Sequence, residues 1–201
     1  MSTATATKSQ FTPEDLLALP DGKSYELVRG QLMERNMGAE SSRVGGRLYS
    51  RLDRFCEEHN LGIVWPADNG YQCFPHDPDL VRRPDVSFVR RGRLPSDVAP
   101  KGWVKISPDL AVEVVSPGDR VYELDEKLAD YRKARVPLIW VINPESRTVT
   151  VYQIDHPISL LFEDDELSGE EIIPGFRCPI REILPPRESV DSPQSTPIDT
   201  N

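Results

Sequence analysis

The sequence predicts a mixed α/β fold, a central β-sheet flanked by helices, on three observations. Residues 85–89 and 110–115 are short runs rich in apolar and β-branched side chains, as strands buried on both faces tend to be. Residues 41–59 and 121–134 instead repeat their apolar positions at helical spacing. The two patterns follow one another as helix, strands, helix, strands, an order that suits one sheet with helices packed on it. At 201 residues, 38% of them hydrophobic, the chain is long enough for one well-buried core.

Taken in order, residues 1–10 are rich in Ser, Thr and Ala, lack the apolar core of a signal peptide, and are expected to be disordered. Thr12-Pro13-Glu14-Asp15 reads as a helix start, with Thr12 as N-cap, proline at the first helical position and acids in the first turn, before Pro20 ends a short run. Tyr25–Val28 and Gln31–Glu34 flank Arg29-Gly30 as the arms of a β-hairpin, the glycine supplying a positive φ. Val44, Leu48, Leu52 and Phe55, spaced four, four and three apart, put an apolar stripe on a helix over residues 41–59. Gly45 and Gly46 weaken its first turns and permit close backbone approach. Extended segments are predicted at 62–65, 71–74, 85–89 and 110–115, with a loop over 90–106. Val121, Leu124, Leu128 and Tyr131 then mark a second helix, and Pro137 opens a strand at 138–142. Further strands are predicted at Thr148–Gln153, 158–162 and 171–173, and the Pro-rich residues 185–201 read as a disordered tail. A single domain over residues 11–184 is the resulting expectation.

Composition narrows the function. A formal net charge of −9 argues against a protein that coats nucleic acid by bulk electrostatics. Residues 81–105, however, hold seven basic groups (Arg82, Arg83, Arg90, Arg91, Arg93, Lys101, Lys105) against Asp85 and Asp97, a local charge of +5 that leaves −14 elsewhere. That asymmetry can offer a basic face to phosphates, although a solvated basic loop would read the same way. Cys56, Cys73 and Cys178 are scattered, with neither zinc spacing nor a disulfide framework, and read as reduced, packed thiols. The three histidines form no i, i+4 pair. No apolar run approaches the ~20 residues of a membrane span. The expected location is the cytoplasm.

Two carboxylates carry the chemical signal. Asp85 opens one apolar strand and Glu113 sits in the middle of the other, inside Asp109-Leu-Ala-Val-Glu-Val-Val-Ser116. Burying a carboxylate there is costly unless something positive neutralises it. Two on neighbouring strands suggest a shared hard cation. The plainer alternative pairs Glu113 with a buried Arg or Lys and leaves Asp85 as a strand cap.

A set of ordered motifs favours the first reading. Tyr25-Glu26-Leu27-Val28-Arg29-Gly30, Arg83-Pro84-Asp85-Val86, the segment 108–117, Lys127-Leu128-Ala-Asp-Tyr131 and Trp140-Val-Ile-Asn-Pro144 together resemble the bacterial Uma-two family, within the PD-(D/E)XK nucleases. The resemblance covers about residues 11–184 and implies a restriction-endonuclease-like fold and a metal-dependent endonuclease. It implies that Asp85 and Glu113 ligate Mg²⁺ or Mn²⁺, joined by the Val114 carbonyl, that Lys127 assists the attack of water, and that Glu26 lies near the metal or supports its shell, the alternative being a structural glutamate of the hairpin. Arg82, Arg83, Arg90, Arg91 and Arg93 would hold flanking phosphates of a nucleic acid, double-stranded DNA by expectation, and a homodimer would suit double-strand cleavage. Two departures stand out: Val115 occupies the place of the usual triplet lysine, and Glu40-Ser41-Ser42-Arg43 stands where many relatives carry a histidine. A nucleic-acid-binding domain without turnover, or a regulatory protein on the same scaffold, are the competing readings.

Overall fold

A computed structural model describes residues 10–36 and 38–187. The expectations for residues 1–9 and 188–201 lie outside them. Helix α1 (Pro13–Ala18) begins in a reciprocal cap: the Asp15 amide donates to the Thr12 hydroxyl at 3.2 Å, and the Thr12 amide donates to the Asp15 carboxylate at 2.8 Å. Its Leu16 packs with Leu27, Val81 and Trp103. Strands β1 (Tyr25–Val28) and β2 (Gln31–Glu34) form the hairpin, and Arg29 (φ 51°) and Gly30 (φ 74°) both take the left-handed conformation that a two-residue hairpin turn requires.

The main sheet has six strands in the order β3 (Gly62–Pro66), β4 (Val86–Arg90), β5 (Leu110–Val114), β6 (Leu138–Asn143), β7 (Thr148–Gln153) and β8 (Ser159–Phe162). All neighbours are antiparallel except β5 and β6, whose parallel pairing needs the crossover that helix α3 (Val121–Lys133) supplies. Helix α2 (Ala39–Glu58) buries Val44, Leu48, Leu52 and Cys56 against one face, where Leu110, Val112 and Val114 of β5 meet it. On the opposite face Leu128 and Tyr131 of α3 pack against Ala111, Ile139 and Val141. Strand alternation then sends the Glu113 side chain, like that of Ala111, toward α3. A small antiparallel pair, β9 (Glu166–Ser168) and β10 (Arg177–Pro179), and the short α4 (Ile180–Ile183) close the α2 side of the core.

Three expectations are corrected. Residues 71–74 form no strand: Tyr71 makes isolated bridges to Arg82 and Val104, and its buried hydroxyl donates to Ser87 at 2.9 Å. The apolar pattern there reports burial without a ladder. Residues 171–173 are a turn, with the amides of Ile172 and Ile173 both bonded to the Gly169 carbonyl, and the strands lie on either side. Pro174 follows, which cannot donate to a ladder. At the tail, Arg147 donates to the Pro185 carbonyl at 3.0 Å and Arg187 pairs with Glu163, so residues 185–187 are tied to the sheet rather than free of it. Cys56 and Cys178 are buried free thiols and Cys73 is partly exposed. No helix among the described residues is long and apolar enough to cross a membrane.

Gly46 tests the helix itself, because it is exposed in the interior of α2 and an added Cβ would meet nothing within 4 Å. Gly46→Ala should therefore raise unfolding free energy in urea by about 0.5–1 kcal/mol. An unchanged midpoint would contradict the expected gain, and a lowered one would show that the glycine is structurally required.

Candidate active site

One pair of adjacent strands delivers the two carboxylates. Asp85 immediately precedes β4, fixed by its own amide, which donates to the Val112 carbonyl at 2.8 Å. Its Oδ2 accepts the Val114 amide at 2.8 Å. The Val115 amide donates to Ile142 on β6, so Val114, one residue earlier, turns its main chain the other way. In an extended strand a residue's N–H and C=O point to the same side, and the Val114 carbonyl therefore faces the Asp85 side of β5.

Glu113 has both oxygens engaged from α3. Lys127 Nζ lies 2.8 Å from Oε2, and the Tyr131 hydroxyl donates to Oε1 at 2.6 Å. Lys127 and Tyr131 are four residues apart, one helical turn, which is why both reach one carboxylate. Lys127 Nζ is also 3.0 Å from Glu26 Oε1 and 3.4 Å from the Arg83 carbonyl. Glu26, from β1, accepts the Arg83 amide at 2.7 Å and Arg82 Nη1 at 3.0 Å. Arg82 in turn donates through Nε and Nη2 to Asp130 Oδ2 at 2.9 and 2.7 Å, and Asp130 Oδ1 meets His76 Nε2 at 2.9 Å. The result is an unbroken ladder of alternating charge from Asp130 through Arg82, Glu26 and Lys127 to Glu113, with His76 hydrogen-bonded to its Asp130 end.

Burial and neighbours push the two glutamates in opposite directions. For Glu26, burial alone would raise the pKa, but the Lys127 and Arg82 charges and the Arg83 amide outweigh it and bring the value down to about 2. For Glu113, burial dominates, Lys127 opposes it, and the Asp85 and Glu26 charges add to it, raising the value to about 7. Burial would lower Lys127, yet Glu113, Glu26 and Asp85 hold it above its usual range. Glu26, Asp85 and Glu113 thus reach one cavity of about 380 Å³, which Lys127 and Arg35 also line.

Carboxylate oxygens and a main-chain carbonyl form a donor set of the kind that suits a small hard cation, which completes its shell with water and substrate phosphate. Among the described residues no three His, Cys, Asp or Glu side chains lie close enough to form a cage by themselves. A cation here would draw on Asp85, Glu113, the Val114 carbonyl and solvent.

The basic run reads differently in three dimensions. Arg82 and Arg83 are about 95% buried and held by internal partners, so they do not face a phosphate. The Arg83 guanidinium donates to the main-chain carbonyls of Tyr25, at 3.0 Å, and Asp68, and lies 5.0 Å from the Trp103 ring. Arg90 ends β4, the strand that Asp85 immediately precedes, so a rise of ~3.3 Å per residue puts it roughly 16 Å away. There Arg90 bonds the Glu171 carbonyl at 3.3 Å, Arg91 sits 3.6 Å from Asp97, and Arg93 donates to Asp109 at 2.7 Å. The cations that line the cavity are Arg29, Arg35 and Arg120 beside Lys127 and Arg82. Sequence reading passed over Arg35, Asp130 and His76. Asp130 alone left a trace, three residues after Lys127 on the same helix.

The family model "Putative restriction endonuclease" (Uma2) matches residues 13–181. A crystal structure from Anabaena variabilis ATCC 29413, described as that of "a putative nuclease belonging to DUF820", superposes with a TM-score of 0.71 at 18% identity, over 87% of this chain and 97% of that one. At that identity the likeness is one of fold. No curated protein matches the chain.

The Glu26 ion pairs should be visible in the acid limb of stability. Its folded pKa of about 2 lies below the ordinary 4.5, so the charged form stabilises the fold above pH 4.5 and that share is lost as pH falls toward 2. The full share is on the order of 3 kcal/mol. Glu26→Gln, which cannot take up this proton, should lose stability in urea less steeply between pH 4.5 and 3 than the native chain; parallel slopes would contradict the assignment.

Proposed function

The chain belongs to the Uma2, or "Putative restriction endonuclease", family, and on that premise we propose that it is a divalent-metal-dependent endonuclease hydrolysing phosphodiester bonds, with double-stranded DNA as substrate. The observation that carries this is the convergence, in one cavity, of Asp85, the Val114 main chain and Glu113 with a buried lysine 2.8 Å from Glu113. Mg²⁺ or Mn²⁺ on those oxygens would acidify a water and offset the charge that builds on the phosphoryl oxygens.

The chain's own groups do the rest. Lys127, on its four-carbon stem, has the reach to donate from Nζ to the attacking water or to a phosphoryl oxygen as the water–phosphorus bond forms and the ester bond breaks. It does so from α3 rather than from β5, where Val115 stands two residues after Glu113. Tyr131 orients the Glu113 carboxylate, and Arg82 holds Glu26, which holds Lys127. Arg29 and Arg120, exposed at the cavity rim, are the cations that reach flanking phosphates in place of Arg82 and Arg83. A second reading, binding without turnover, draws on Lys127 already bridging Glu26 and Glu113.

Supercoiled plasmid with Mg²⁺ or Mn²⁺ should be nicked by the native chain and protected by EDTA. Asp85→Ala, Glu113→Ala and Lys127→Ala should each slow nicking roughly a hundredfold or more. Nicking that survives in both carboxylate variants would overturn the site, and salt-sensitive DNA binding without cleavage under either metal would favour the second reading.

A further inference from the structure

Arg35 is the cation in the cavity that no role above uses. It follows β2 directly, and its amide donates to the Ser24 carbonyl at 2.9 Å. Its side chain is only 7% exposed, and the guanidinium is divided between two tasks. Nη1 is anchored on the Ala67 carbonyl at 2.9 Å, with the Lys23 carbonyl at 3.5 Å, while Nη2 donates to Asp85 Oδ1 at 3.1 Å. The Val114 amide takes one lone pair of Oδ2, and Arg35 sits on Oδ1, the oxygen with no main-chain partner.

We propose that Arg35 grips the substrate phosphate at this centre and rests on Asp85 until a divalent cation takes that carboxylate. This rests on the metal-dependent nuclease reading. A cation on Oδ1 competes directly with Nη2. Once displaced, the guanidinium stays in the cavity wall, because the Ala67 carbonyl still holds its other arm. It then carries an uncompensated charge in a mostly buried position, which favours an anion. A planar fork with one arm fixed and one released is suited to a phosphate oxygen, which a lysine in the same place would meet only as a point charge. The exposed Arg29 and Arg120 lack this fixed placement, their side chains being 79% and 68% exposed.

Two effects of one substitution then run in opposite directions, which a merely structural arginine would not produce. Arg35→Gln removes a competitor for Asp85 and a ligand for phosphate. Calorimetric titration with Mn²⁺ should show binding about tenfold tighter than native, while plasmid nicking at saturating Mn²⁺ falls about tenfold or more. Arg35→Lys, which keeps the charge should the glutamine variant fold poorly, is expected to bind Mn²⁺ near the native affinity and to nick several-fold more slowly. Asp85→Asn is the control and should lose Mn²⁺ binding. Mn²⁺ binding that depends on Asp85 but is unchanged or weaker in Arg35→Gln, or native nicking in either Arg35 variant, overturns the role of Arg35 alone. Absence of Mn²⁺ binding to the native chain, or binding indifferent to Asp85→Asn, overturns the metal reading as well.

Discussion

A single carboxylate buried in the middle of a central strand sets the terms for this molecule. Glu113 belongs to β5, whose other residues are all buried and apolar, and alternation turns it toward α3 instead of solvent. Left alone it would cost several kcal/mol. Its partners follow from that cost: Lys127 and Tyr131 are carried by α3, the crossover that the parallel β5–β6 pair demands in any case. Lys127 then needs Glu26, Glu26 needs Arg82, and Arg82 needs Asp130. The hairpin, the loop before β4, and α3 are tied together by these charges as much as by apolar packing.

Such a ladder satisfies its members and stops at Glu113, while the neighbouring Asp85 lies outside the chain of ion pairs. There Asp85 is 28% exposed and paired to an arginine from a different segment, whereas Asp130, toward the other end, is 7% exposed and held by two partners. Around the cavity, Asp85 is met by Arg35 and Glu113 by Lys127, in the place where the proposed function puts a metal. A net charge of −9 is consistent with this: the chain does not rely on bulk attraction, and its nucleic-acid contacts would be local.

Much of this was legible in the sequence where a period or a burial cost was involved. The apolar stripes of α2 and α3, the buried runs of β4 and β5, and the Thr12 cap all follow from local rules, and the solitary Glu113 in a valine-rich strand announced itself by its expense. Partnerships across long separations were invisible. Arg82 and Arg83 looked available for phosphates because counting charge along residues 81–105 cannot see that Glu26 lies 56 residues before Arg82 and Asp130 lies 48 after it. Arg35 and Asp85, 50 residues apart, left no trace for the same reason. The apolar residues at 71–74 and 171–173 imitate strands, because a buried pattern does not say whether the backbone has a neighbour to pair with. Lys127 is legible only through the family resemblance, since a helical lysine by itself reads as solvated.

The central claim is that the oxygens of Asp85, Glu113 and the Val114 main chain are arranged for a divalent cation rather than for the side chains that hold them here. The most direct measurement is a crystal soaked in Mn²⁺ with anomalous data collected at the manganese edge. The account predicts a peak within ligand distance of both carboxylates, with the Arg35 guanidinium withdrawn from Asp85. A crystal in which manganese binds elsewhere, or nowhere, while Arg35 and Lys127 keep their carboxylate partners would contradict it and leave the ladder a purely structural device.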